Sequence, residues 1–127
     1  MFQFDQLLIV LIGGGIGSVT RYIVTLLISS RFGSIFPFGT LCVNLIGCFI
    51  MGFFMIFTSE RIHVAAGIRL LITVGFLGGL TTFSSFSYET IQLLREGNTI
   101  SAFLNISANL ILGLLAVWMG IFAAKFM

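Results

Sequence analysis

Gly75-Phe76-Leu77-Gly78-Gly79-Leu80-Thr81-Thr82-Phe83-Ser84-Ser85-Phe86-Ser87 is the stretch whose reading decides the fold. Two adjacent glycines and then five hydroxyl residues within seven weaken a helix. Glycine loses the most backbone entropy on ordering, and Ser and Thr offer the backbone competing partners. Yet the run lies inside an apolar segment, 68–94, whose 27 residues would measure about 40 Å if fully helical. The spacing predicts two short helices, 68–77 and 83–94, separated by a non-helical break over 78–82 near mid-membrane. In hydrocarbon such a break survives only where protein buries it or where it lines a polar cavity. Broken membrane helices also aim half-helix dipoles and freed carbonyls at an ion, and carbonyl oxygens suit a hard cation such as sodium.

Three further segments are long enough to cross a hydrocarbon core of roughly 30 Å at about 20 residues each. They cover 7–29, 38–59 and 100–125, so the whole chain, 1–127, reads as one transmembrane domain of four helices. Composition agrees. Of 127 residues 58% are hydrophobic, only 8% are charged, and mean hydropathy is +1.18. A soluble domain devotes about a quarter of its residues to charge, and disorder would need low hydrophobicity with high charge. The fold class is therefore an all-α membrane protein with its third helix broken. The N-terminus lacks a basic n-region and an A-x-A site, so the first segment reads as a retained span.

The net charge of +2 comes from scattered single residues, without the cluster that a nucleic-acid partner needs. Four spans put both termini on one side, with Arg61, Arg69 and Lys125; Arg31 and Arg95 lie on the other, approached by Arg21 from within span one. That near-even split leaves almost no positive-inside signal, so either the topology is poorly specified or the chain inserts both ways, and an antiparallel, dual-topology homodimer is one solution. A second copy would also help to shelter Arg21, Asn44, Asn105, Asn109 and the hydroxyl cluster, which a small four-helix chain is expected to be too thin to bury together.

Gly13 and Gly17 form a G-x-x-x-G pair that lets another backbone approach, with Arg21 one turn further along. Arg21 either snorkels to an interface or stays as a buried charge. Asn44 and Gly47 share a face of span two, and asparagine in a bilayer either bonds a neighbouring helix or serves a polar site. Span four reads as a regular helix with Asn105 and Asn109 one turn apart, and Trp118 near an interface. Cys42 and Cys48 cannot form a zinc site by themselves, and His63 has no clustered ligand partners. The glycines at 13–17 lack G-x-G-x-x-G phasing and a strand–helix unit, which rules out a dinucleotide loop.

Three blocks carry a resemblance: Gly13-Gly14-Gly15-x-Gly17-x-x-x-Arg21-Tyr22, Pro37-x-Gly39-Thr40-Leu41-x-x-Asn44-x-x-Gly47, and Gly75-Phe76-x-Gly78-Gly79-x-Thr81-Thr82-Phe83-Ser84-x-Phe86-Ser87-x-Glu89. With them the chain resembles the Fluc/CrcB family of small fluoride channels, which usually has Thr where this chain has Ser85. The resemblance implies an antiparallel homodimer with two pores in a bacterial inner membrane, passing fluoride. It implies a central sodium ion held by carbonyls of Gly78 and Thr81 from each subunit. Pore-lining phenylalanines fall on Phe83 and Phe86, the pore asparagine on Asn44, the buried arginine on Arg21, and a polar track on Thr82, Ser84 and Glu89. Asn109 is placed beside the pore. Gly13, Gly17 and Gly47 stay structural.

The chemistry of these residues suits an anion. Aromatic edges are electropositive, and a strongly hydrated anion needs hydrogen-bond donors to replace its water, which Asn44, Thr82 and Ser84 can supply. A carboxylate facing an anion path would obstruct it, so Glu89 acts indirectly. The runner-up is a small dual-topology proton-coupled exporter, which requires an intramembrane acid; span one has none, since Asp5 precedes it, and Glu89 is the one candidate. A non-transporting helical subunit would gain nothing from a broken helix. None of these readings is an enzyme.

Overall fold

The structure, a computed structural model, describes residues 3–127. Helix α1 spans Phe4–Phe32, α2 spans Phe38–Arg61, α3 covers residues 66–80, α4 spans Phe83–Arg95 and α5 spans Thr99–Phe126. With α3 and α4 taken together, four helical rods are long and apolar enough to cross a membrane. Short connections at 33–37, 62–65 and 96–98 reverse the chain each time. Gly33 and Gly97 adopt positive φ at two of these ends, the left-handed conformation that glycine enters without steric cost.

α1 begins at Phe4 and runs to Phe32, longer at both ends than the expected 7–29. Asp5 in its first turn complements the positive end of the helix dipole, and Gly33 stops it. α2 lies along the second half of α5, and α1 lies along α3. Glycine makes both contacts. A Cβ on Gly17 would stand 2.1 Å from the Phe76 carbonyl oxygen, and one on Gly13 2.5 Å from that of Leu71. Opposite them, a Cβ on Gly79 would stand 2.4 Å from the Gly14 carbonyl oxygen. The α1 glycines therefore meet a second small-residue row, Gly75 and Gly79, whose four-residue spacing carries the same signal. Gly52 and Gly120 serve the α2–α5 contact, where Cβ atoms would fall 2.2 Å and 2.1 Å from the Val117 and Phe49 carbonyl oxygens.

Two expectations need correction. Helix continues through Gly78, Gly79 and Leu80, so the non-helical stretch is shorter than 78–82. Extended backbone is confined to Thr81 (φ −85°, ψ 154°) and Thr82 (φ −151°, ψ 120°). Glycine's low helix propensity does not unwind α3 here, because Gly79 is pressed against α1 and unwinding would forfeit that packing. α5 is also not a regular helix: residues 108–112 form a widened π turn around Asn109. Such turns displace the backbone locally and recur at functional sites. A similar widening runs through Leu71–Leu77, opposite the glycines of α1.

Large side chains such as Leu11, Ile16, Leu114 and Trp118 stand exposed on the outer faces, as lipid-facing residues of a multi-pass membrane protein do. The interior contains Val43, Leu77 and Leu80. Gly17→Ala is expected to lower stability by about 1–3 kcal/mol through overpacking, measured by thermal unfolding in detergent. Gly113→Ala, whose Cβ would meet only the Cys48 sulfur at 3.7 Å, should leave it unchanged. Equal stability of the two variants would contradict the close α1–α3 contact.

Candidate functional site

The extended pair Thr81–Thr82 exposes backbone groups that a helix would have bonded internally. Thr82 resolves its own with the side chain of Asn44 on α2. The Thr82 N–H donates to Asn44 Oδ1 at 2.8 Å, and Asn44 Nδ2 donates back to the Thr82 carbonyl at 3.2 Å. The side-chain amide thus pairs with the main chain as a neighbouring strand would. Thr82 also caps α4, its Oγ1 accepting from the Ser85 N–H at 3.1 Å. Its hydroxyl is within 3.2 Å of both Ser84 Oγ and Ser85 Oγ.

These two bonds have a consequence one turn upstream. In an unbroken helix the Thr82 N–H would return to the Gly78 carbonyl, and the Ser85 N–H to that of Thr81. Both donors are instead held by side-chain oxygens. Gly78 and Thr81, the two candidate cation ligands, therefore have carbonyls released from the i→i+4 ladder. Gly47 leaves room for the Thr81 methyl: a Cβ there would lie 2.2 Å from it.

A cavity of about 300 Å³ opens against this junction. Asn44, Thr82, Phe83, Phe86 and Asn109 line it together with apolar side chains, Gly47 and Cys48, and no charged residue does. The Phe83 and Phe86 rings are 5.4 Å apart with planes inclined at 54°, so each offers an edge as well as a face. Their environments differ: Phe86 is buried, whereas Phe83 is 75% exposed. A second cavity of about 260 Å³ holds Arg21 with Ser18, Thr25, Thr40 and Ser85. Thr82 lines both cavities. Ser84 lines neither, and it reaches the cluster through its bond with Thr82.

Glu89 stands apart from the phenylalanine cavity. Its Oε1 accepts from the Thr40 hydroxyl at 2.6 Å, and its Oε2 is buried without a protein partner among the described residues. Thr40 carried no role in the sequence reading, which named Asn105 and Asn109 as a pair and placed Asn109 beside the pore. Thr40 meets Glu89 across 49 residues of chain, a pairing that no local pattern reveals. Asn105 is fully buried and donates to Thr90 Oγ1 at 2.9 Å. Asn109 joins Asn105 to Asn44: its Nδ2 donates to the Asn105 Oδ1 at 3.1 Å, and its Oδ1 accepts from Asn44 Nδ2 at 2.9 Å. A single chain therefore satisfies hydrogen bonds of these amides and buries Asn105 and Thr82, while Asn44 and Asn109 stay half-buried at the cavity.

Comparison with known proteins gives a consistent result. The family described as CrcB-like protein, Camphor Resistance (CrcB), matches residues 8–121. A Geobacter sp. (strain M21) protein named fluoride-specific ion channel FluC is 42% identical over 95% of this chain and 98% of its own length. Proteins of the same name from Phocaeicola vulgatus and Shewanella baltica are 45% and 46% identical, covering 94% and 91% of this chain and 98% and 93% of theirs.

Asn44→Leu should be costly, because it strands both the N–H and the carbonyl of Thr82. Each buried polar group left without a partner costs about 1–3 kcal/mol. Thermal unfolding in detergent is expected to show a larger loss for Asn44→Leu than for Cys48→Ala in the same cavity wall. A loss no greater than that of Cys48→Ala would remove the amide–backbone pairing from the account.

Proposed function

The chain belongs to the CrcB-like family, and from that premise we propose that it is a passive fluoride-selective channel that exports fluoride from the cytoplasm and so limits its toxicity. The observation that carries this reading is the cavity at the Thr81–Thr82 junction, which brings aromatic edges, amides and hydroxyls together with no carboxylate, Lys, Arg or His in its lining. Relatives named fluoride-specific ion channel FluC support the choice of anion. Flux through such a path changes no covalent bond, so the protein is not an enzyme.

In this reading the chain is one membrane domain of the bacterial inner membrane, its α3–α4 junction lying near mid-membrane. A small anion releases water as it enters and needs donors in return. Arg21 lends positive potential to the second cavity and raises the local anion concentration. Thr82, which lines both cavities, hands the anion between them through its hydroxyl with the support of Ser84. Phe83 and Phe86 receive it on ring edges, which attract an anion without trapping it as a full charge would. Asn44 and Asn109 hold the polar wall. Glu89 acts from the side by fixing Thr40, while Gly13, Gly17 and Gly47 provide the close packing.

The functional unit is an antiparallel dual-topology homodimer with a sodium ion at its centre. The ladder-released carbonyls of Gly78 and Thr81 fit that ion, and two copies would supply four such oxygens. Sodium there would supply fixed positive charge that ties the two junctions together. The near-even distribution of cations over the two ends supports insertion in both orientations.

A small dual-topology proton-coupled exporter is less well supported. It needs an acid in the transport cavity, whereas Glu89 lies outside the phenylalanine cavity. In liposomes the purified protein is expected to release fluoride rapidly, with no imposed pH gradient, and chloride hardly at all. Phe86→Ile should slow fluoride release at least tenfold in a folded protein. Equal fluoride and chloride release, or release only under a proton gradient, would overturn the reading. Cysteine tagging of the termini in whole cells should label both sides of the membrane, and strictly one-sided labelling would exclude dual insertion.

A further inference from the structure

Beyond the pore residues, a line of side-chain hydrogen bonds crosses from α4 to α5 and returns to the junction through α2. The Thr90 hydroxyl donates to the Phe86 carbonyl at 2.8 Å, which uses its only hydrogen. Its oxygen can then only accept, and Asn105 Nδ2 donates to it. With its nitrogen so directed, Asn105 turns Oδ1 toward Asn109 Nδ2, which also donates to the Asn105 main-chain carbonyl at 3.0 Å. Asn109 consequently presents Oδ1 to Asn44 Nδ2. Asn44 then presents Oδ1 to the Thr82 N–H.

Both ends of this line are main-chain groups that cannot exchange roles. The Phe86 carbonyl only accepts and the Thr82 N–H only donates. One orientation of the three amides satisfies both ends, and flipping any one of them sets donor against donor and acceptor against acceptor. We propose that Asn105 is a positioning residue, the fully buried link through which Thr90 on α4 fixes the amide orientations of Asn109 and Asn44 at the cavity and thereby the conformation of the Thr81–Thr82 junction. It lies outside the phenylalanine cavity and acts through its neighbours. The proposal rests on the channel reading for its transport consequence but not for its geometry.

Asn44 Nδ2 already serves the Thr82 carbonyl and Asn109 Oδ1. A passing anion therefore borrows a donor from a polarised line, and the line must reset after each passage. Without the Asn105 side chain Asn109 Nδ2 keeps only the main-chain carbonyl of residue 105 as acceptor, and the reset loses one of the bonds that direct it.

The test uses the full-length protein with Asn105→Leu and, as a near-isosteric change further from the cavity, Thr90→Val. Two quantities are read: fluoride release from liposomes, and the ¹⁵N side-chain amide resonances of Asn44. Asn105→Leu is expected to slow fluoride release at least fivefold and to shift the Asn44 resonances, although the two residues do not touch in this line. Thr90→Val should shift them in the same direction by less, and the double variant should be no slower than Asn105→Leu alone. Asn44 resonances unmoved in Thr90→Val would overturn the proposal even if Asn105→Leu failed to fold. Shifted resonances in variants of a protein whose parent releases no fluoride would retain the relay and reject the channel.

Discussion

The amide of Asn44 bonded to both the N–H and the carbonyl of Thr82 is the interaction on which the rest of the structure depends. Inside a bilayer no water stands ready to satisfy an interrupted helix, and each orphaned backbone group costs several kcal/mol. The interruption at Thr81–Thr82 is thus possible only because a side chain from α2 stands in for the missing turn. Diverting the Thr82 N–H to Asn44 and the Ser85 N–H to Thr82 Oγ1 also releases the Gly78 and Thr81 carbonyls. One local exchange of partners produces the start of α4, the wall of the phenylalanine cavity and a pair of free oxygens.

That exchange requires α2 to come close, and glycine brings it there. Gly47 admits the Thr81 methyl, while Gly52 and Gly120 let α2 and α5 touch backbone to backbone. On the other side Gly13, Gly17, Gly75 and Gly79 bind α1 to α3. Lipid tails are as apolar as leucine, so association inside the membrane draws on packing and hydrogen bonds rather than on hydrophobic burial. In this setting glycine's poor helix propensity matters less than the close contacts it permits.

Much of this was legible in the sequence. Hydropathy marked the four rods, and the cluster of glycines and hydroxyls marked the place where the backbone of the third becomes extended. The limits 78–82 were too wide because they followed propensity, whereas Gly79 is held helical by its contact with α1. A local signal was present in Thr82 itself, a residue type that caps helix starts by accepting from a backbone N–H two or three residues on. The widened turn at Asn109 and the pairing of Thr40 with Glu89 were not legible, since each depends on which helix faces which. Asn105 and Asn109 were visible as a pair, but their direction is set by Phe86 and Thr82 at the two ends of the relay. Mutual hydrogen bonding of the asparagines within one chain also went unanticipated, because composition reports how many polar groups there are and not whether they satisfy one another.

The central claim is that the anion passes the Thr82 junction beside Phe83 and Phe86. Solid-state NMR of the protein in lipid with bound fluoride tests it most directly, through dipolar couplings between ¹⁹F and nearby protons. The account predicts a bound fluoride resonance coupled to the ring-edge protons of Phe83 or Phe86 and to the Thr82 hydroxyl or Asn44 amide protons. A bound fluoride coupled to none of these groups would contradict it.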